Sequence, residues 1–258
     1  MILRSETRAR LSRDLDAGFD GYRNLADVVD GIKSICSGVM RSLRSINPIY
    51  RWRTRRYLAG QGVKKLQIGT GPQPKVGWLN TDLKPQGSDI VYLDARGPLP
   101  FPNDSFDFIF AEHLIEHLDY LYGLRCISEC RRVLKPGGVL RLATPNLHQY
   151  VKLLYETDQN LELGERVEWY NNRYVRRRKE TYGDGPIFPF NALLRKFGHI
   201  FLYTPEALCD SLATAGFSSI QQVEPTESPH AELKNLEAHD PGDVEFMLFE
   251  TMVYEAEK

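Results

Sequence analysis

Residues 94–118 read DARGPLPFPNDSFDFIFAEHLIEHL, and residues 131–146 read RRVLKPGGVLRLATPN. The first stretch places Asp94 at the end of an apolar run and then enters FDFIF, whose near-continuous apolar content suits a strand buried on both faces. That strand stops at the polar tip Ala111-Glu112-His113. In the second stretch a helix predicted over about Leu118 to Leu134 ends at Lys135-Pro136-Gly137-Gly138. Pro cannot continue a helix and Gly accepts positive φ, so the chain turns there into the strand GVLRLAT.

The same rhythm extends outward. VKKLQIG (63–69), GWLNTDL (77–83) and DIVYLDA (89–95) are short apolar runs separated by turn residues. Downstream, TPEALCDSLATAGF (204–217) predicts a helix with Thr204 as N-cap, Pro205 in its first turn and Gly216 at its end. FSSIQQVE (217–224) and FMLFETMVYEA (246–256) can close the sheet. The fold class expected is α/β: a Rossmann-like, doubly wound, mostly parallel sheet of seven strands with an N-terminal helical extension. Residues 1–62 are expected to form a helical cap or lid interrupted at Gly18, Gly21, Gly31, Gly38 and Pro48, and residues 63–258 the main domain. Within it, residues 147–197 are a polar, Arg- and Tyr-rich insertion of the kind that builds substrate pockets at strand ends.

Composition narrows the function. The 258 residues carry a formal net charge of −1 with 26% charged content, which gives no global reason to expect nucleic acid or an anionic membrane as partner. Two local basic runs stand out, RWRTRR (51–56) and RYVRRRK (173–179). Both read as solvated helix faces or as docking points for an anionic group. Cys36, Cys126, Cys130 and Cys209 show no metal or disulfide spacing, and no apolar run reaches membrane-spanning length. A cytoplasmic protein with buried thiols is expected.

The strand LQIG leads into Gly69-Thr70-Gly71, where missing side chains let backbone approach a ligand. The next strand ends in Asp82, placed to accept ribose hydroxyls, and the third in Asp94, so three tips converge on one nucleoside. Taken together, LQIGTG, GWLNTDL, the 94–118 stretch and ECRRVLKPGGVLRLATPN resemble the class I S-adenosylmethionine (SAM) dependent methyltransferases. The resemblance looks strongest to a branch associated with polysaccharide or glycan synthesis, whose tail is similar to GHIFLYTPEALCDSLATAGF and SPHAELKNLEA. It implies SAM as cofactor, with Gly69, Thr70 and Gly71 against its amino-acid portion, Asp82 and the adjoining Leu83 at the ribose, and Asp94 with Ala95 at the adenine. Ala111, Glu112 and His113 would flank the methionine part. The chain departs from that pattern at Gln67, where an acidic residue is usual. It departs again at Pro72-Gln73-Pro74, which replaces a third glycine and leaves too short a link for a crossover helix.

A hydroxyl acceptor needs a base, and imidazole is the side chain matched to that task near neutral pH. His148, after the fifth strand, is the first candidate, His199 the second and His113 the third. His117 reads as structural. The string His113-Leu-Ile-Glu116-His117 also satisfies an inverted zinc-peptidase pattern, but it directly follows a strand instead of lying within a long helix. A divalent ion such as Mg2+ held by Glu112, Glu116 or a histidine would lower the acceptor's pKa, yet the sequence indicates no metal ligands. The expected activity is O-methylation of a small polar acceptor, a saccharide or glycan intermediate by resemblance. Trp169, Tyr170, Tyr174 and Tyr182 of the insertion suit stacking on sugar rings, and suit a homodimer interface equally. The alternative is a SAM-binding module, weak in catalysis, that acts in assembly or regulation.

Overall fold

The computed structural model describes residues 47–156, 161–175, 185–195, 197–237 and 249–258. The helices expected ahead of residue 47 lie outside these residues, as do Cys36, Arg176, Arg177, Arg178, Lys179 and Tyr182. Helix α1 (Pro48–Ala59) carries the first basic run and buries none of its residues. Pro48 opens this helix instead of breaking one, because the first turn has no use for its missing N–H. The Tyr57 hydroxyl fastens the helix to the sheet, accepting from the Lys65 N–H at 2.9 Å and reaching the Gly77 carbonyl at 3.0 Å.

Seven strands form one sheet: β1 (Lys65–Ile68), β2 (Leu79–Asp82), β3 (Val91–Tyr92), β4 (Phe106–Glu112), β5 (Leu134–Pro145), β6 (Ser218–Val223) and β7 (Thr251–Glu257). Their order is β3-β2-β1-β4-β5-β7-β6. The first five are parallel, and β7 enters antiparallel between β5 and β6. The doubly wound, mostly parallel α/β fold expected from the apolar runs is the fold observed. Leu66, Ile68, Ile109 and Leu140 at its centre are at most 1% exposed.

Helix α2 (Tyr120–Val133) connects β4 to β5 and buries Ile127, Cys130 and Val133 against the sheet. Asp119 caps it, its carboxylate accepting from the Tyr122 N–H. The helix passes directly into β5, whose pairing with β4 begins at Leu134 and is then interrupted before Val139. Lys135–Gly138 is therefore an irregularity inside a long strand, where a free turn was expected. A Cβ on Gly138 would lie 2.9 Å from the Lys135 carbonyl and 3.0 Å from that of Asp107, so backbone packing demands glycine there.

The link from β1 to β2 contains no helix, as its length predicted. That leaves one face of the sheet without its usual cover. Residues 225–237 fill the gap: Leu233 and Leu236 pack with Trp78, Phe110, Val139 and Val253. Arg141 of β5, fully buried, anchors this excursion by pairing with Glu237 at 2.6 Å and with Glu255 at 2.5 Å, and by donating to the Glu227 carbonyl.

The insertion folds as helices α3 (Leu147–Tyr155), α4 (Leu161–Tyr170) and α5 (Ile187–Arg195), with a short π-helical turn at Asn171–Val175. Tyr150, Leu153, Leu163, Val167, Tyr170 and Leu193 give it a small core of its own. Tyr170, expected as a sugar-stacking ring, is fully buried in that core and donates to Glu250 at 2.7 Å. The Arg173 guanidinium lies 5.1 Å from the Trp169 ring centre. Helix α6 (Pro205–Thr214) begins as expected, with Thr204 accepting from the Ala207 N–H. No helix among the described residues is long and apolar enough to cross a membrane.

Candidate active site

The carboxyl ends of β1 to β4 gather on one edge of the sheet. Gly69 and Gly71 both adopt positive φ, +74° and +54°, which lets the chain curl over the tip of β2. The Thr81 carbonyl accepts from the N–H groups of Gly69 and Thr70 and from the Thr70 hydroxyl. Gly69 packs against Leu114, whose Cδ1 would lie 3.0 Å from an added Cβ, whereas Gly71 faces open space. Asp82 reaches across to this loop: one carboxylate oxygen accepts from the Gly71 N–H at 2.9 Å and the other from the Lys84 N–H at 2.7 Å. Each oxygen retains a lone-pair direction for a further donor. Leu83 beside it is exposed, and Ala95 is buried.

At the third tip, Asp94 is gripped by Arg96 through two 2.8 Å bonds to its two oxygens. The carboxylate is thereby oriented, and Arg96 is carried to the same edge. A glycine loop with a vacant flank, a carboxylate bonded to that loop and a second oriented carboxylate fit an adenosyl sulfonium compound. Gln67, the departure from the acidic residue, has its own task in the loop. Its side chain accepts from the Lys75 N–H and donates to the Gln73 carbonyl.

Beyond β4 the chain turns sharply. His113 has a φ of +46°, an uncommon value for a residue with a Cβ, and its N–H is held by the Ala143 carbonyl. Residues Ile115–His117 make a single 3-10 turn. A cavity of about 300 Å³ opens here, with His113, His117, His199 and Glu250 as its polar wall and Tyr150 and Phe197 as its aromatic one. Leu114, next in the chain to His113, packs against Gly69 of the glycine loop.

The His113 Nδ1 lies 3.0 Å from a carboxylate oxygen of Glu116, which is fully buried and takes a second hydrogen bond, also 3.0 Å, from the Thr144 hydroxyl. Burial disfavours the charged ring, but the hydrogen bond and charge of Glu116 overcome it and push His113 up to about 9. Burial likewise opposes the Glu116 carboxylate, and the His113 hydrogen bond and charge nonetheless hold it below the usual glutamate range. His199 moves the other way, lowered chiefly by burial. His117 places Nδ1 3.2 Å from the Gly198 carbonyl. With the proton on that nitrogen, Nε2 is left as an acceptor.

His148 is not brought to this cavity. Asn146 caps α3 by accepting the His148 N–H, and the imidazole stands half exposed, 3.7 Å from Glu206 at the start of α6. Of the wall, His117 was expected near the pocket but without a role in it, and Glu250 was not expected there. His117 looked structural because nothing local shows that residues 198–201 fold back onto it. Glu250 lies on a segment whose apolar character predicted only a strand.

Residues 56–142 match the model of a family described as a methyltransferase domain. No curated protein matches the chain. Among solved structures it is similar to a SAM-dependent methyltransferase of Thermotoga maritima, at 15% identity over 87% of this chain and 99% of that one, with a TM-score of 0.43. A SAM-dependent methyltransferase of Archaeoglobus fulgidus gives 16% identity, 84% and 94% coverage and a TM-score of 0.44. The phosphoethanolamine N-methyltransferase 2 of Haemonchus contortus, solved with SAM, gives 14%, 81% and 52%, and 0.40. The matched segment runs from the end of α1 into β5 and contains the glycine loop, both strand-end aspartates and the β4 tip, so this part of the chain is similar to a methyltransferase domain.

Proposed function

We propose that the chain methylates a hydroxyl group of a small polar acceptor, a saccharide or glycan intermediate, held in the cavity between the ends of β4 and β5 and helix α5. The observation that carries this reading is the meeting of His113, His117 and His199 around a cavity that opens where β4 ends. SAM supplies a methyl already activated on sulfonium, so the protein has to align the acceptor, exclude water and take up a proton. Gly69, Thr70 and Gly71 bring backbone to its amino-acid portion, and Asp82 accepts from the ribose. Leu83 adjoins Asp82 at the ribose, Asp94 and Ala95 border the adenine, and Ala111 and Glu112 the methionine part.

The three wall histidines then divide the work. His113, charged through its pairing with Glu116, donates to the acceptor and positions it. Activation of the hydroxyl falls to His117 and His199, whose rings keep acceptor nitrogens, while His148 faces Glu206 instead. A wall with three imidazoles and a carboxylate suits a hydroxyl-rich compound, and the saccharide assignment adds the family resemblance to that chemistry.

The test is calorimetric SAM binding followed by S-adenosylhomocysteine release with sugars, amines and phosphate esters as acceptors. Turnover on a sugar is expected, with His199→Ala reducing it about a hundredfold at unchanged SAM affinity. Turnover confined to amines removes the hydroxyl reading. SAM binding with no turnover on any acceptor favours the regulatory module.

A further inference from the structure

Glu116, His117 and His199 bring one ligand atom each to within 4.8 Å of one another. Two of them come from the turn after β4 and the third, His199, lies 82 residues after His117, and backbone bonds lock the two segments together. The Glu116 carbonyl accepts from both the Ile200 N–H at 2.7 Å and the Phe201 N–H at 3.1 Å, and the Gly198 carbonyl holds His117. We infer that these three side chains form a binding site for a divalent first-row transition ion of the zinc type, opening into the acceptor cavity.

The geometry supports this on several counts. Three atoms no more than 4.8 Å apart lie within about 2.8 Å of a common centre. Inward movement of about 0.7 Å each reaches the zinc–nitrogen and zinc–oxygen bond lengths of about 2.0–2.1 Å. His117 shows the arrangement typical of a ligating imidazole, its Nδ1 tied to a backbone carbonyl so that Nε2 is presented with a fixed orientation. The Nδ1 of His199 is buried without a well-aligned hydrogen-bond partner, and coordination at that nitrogen would satisfy it. Each Glu116 oxygen accepts one hydrogen bond, leaving lone pairs for an ion. Glu112 and Glu250 lie close enough to favour positive charge at this end of the sheet. Two imidazoles with one carboxylate suit zinc, manganese or iron, whereas Mg2+ prefers an all-oxygen set.

Three protein ligands leave a fourth position toward the cavity, the pattern of a catalytic ion. This role, unlike the site itself, rests on the methyl-transfer reading. With the ion in place His117 and His199 would act on the hydroxyl through it instead of as bases, and an acceptor hydroxyl bound there would lose its proton more readily. Its oxygen lone pair then forms the new O–C bond as the S–C bond breaks, and S-adenosylhomocysteine leaves.

The experiment uses the full chain stripped with chelator and titrated with Zn2+, Mg2+ and Co2+. One Zn2+ per chain is expected, no comparable Mg2+ binding, and a Co2+ absorption spectrum of low coordination number. His117→Gln and His199→Gln should each weaken Zn2+ binding at least tenfold, and His230→Gln, in the excursion that covers the sheet, should not. The Co2+ spectrum needs no substitution, so a variant that misfolds leaves the test standing. Absence of stoichiometric Zn2+ binding, or binding that survives both substitutions in folded protein, overturns the site. Chelated protein that methylates at the full rate overturns its catalytic role while leaving methyl transfer intact. Zn2+ binding in a protein that never binds SAM upholds the site and rejects the methyl-transfer reading.

Discussion

The side-chain carbonyl of Gln67 accepts the backbone N–H of Lys75 at 3.1 Å, fastening the interior of β1 to the short loop that replaces a crossover helix. The amide nitrogen of the same side chain donates to the Gln73 carbonyl at 3.2 Å. A glutamate could make the first bond but would face the second carbonyl with a charge and no proton. Gln67 is 4% exposed, so that mismatch occurs away from water. Gln67→Glu is expected to cost about 1–3 kcal/mol of stability and to weaken SAM binding by loosening the glycine loop. Thermal unfolding and calorimetry check both, and an unchanged melting temperature together with unchanged affinity would remove this account of the departure.

Asp82 bridges two elements that a nucleoside must also touch, since it already accepts from the Gly71 N–H. Removing the carboxylate takes away charge-assisted bonds worth about 1.5–3 kcal/mol each. Asp82→Ala should therefore raise the SAM dissociation constant by about tenfold to a hundredfold, read by calorimetry. Equal affinity in the variant would place the ribose elsewhere.

His113 provides a pH signature. Its folded pKa of about 9 lies above the unperturbed value of about 6.5, so the folded state binds the proton more tightly than the unfolded chain. The stability this contributes is fully present below about pH 6.5 and is lost as pH rises through about 9. In chelated protein the His113 ring resonance should titrate near pH 9 by NMR, and Glu116→Gln should bring it back toward the ordinary range. A ring that titrates near 6.5 in the wild-type chain would refute the charged pair.

The apolar runs and turn residues were enough to read the α/β class, the mostly parallel sheet, the missing β1–β2 helix and the Thr204 cap, because each depends on neighbours within a dozen residues. The N-cap at Asn146 is equally local, yet its consequence was not foreseen: bonding the His148 N–H leaves that ring on the surface beside Glu206. Three of the four histidines expected near the pocket, His113, His117 and His199, do line it, but how they are held was illegible for a different reason. His117 and His199 come together through backbone bonds from residues 200 and 201 to Glu116, a contact across more than eighty residues that no spacing records. Tyr170 misled in the same way, since it is buried and its hydroxyl finds a partner in Glu250 at a separation of 80 residues.

Arg141 was equally hidden, written into an apolar strand as a lone charge. It is fully buried, pairs with Glu237 and Glu255, and bonds the Glu227 carbonyl. Glu237 in turn accepts the Thr226 N–H, so one guanidinium organises both ends of the excursion that covers the sheet where a helix is missing. Replacing one partner of such a cluster strands the others, which costs more than the cluster's net contribution. Arg141→Leu should destabilise the fold by about 3–5 kcal/mol, lowering the melting temperature by roughly 6–20 °C for a domain of this size. Because Glu237 and Glu255 are then the uncompensated charges, Arg141→Leu combined with Glu237→Gln and Glu255→Gln should recover part of that loss. A triple variant no more stable than the single one would show that Arg141 acts through packing alone, and the cover over β4 and β5 would need another anchor.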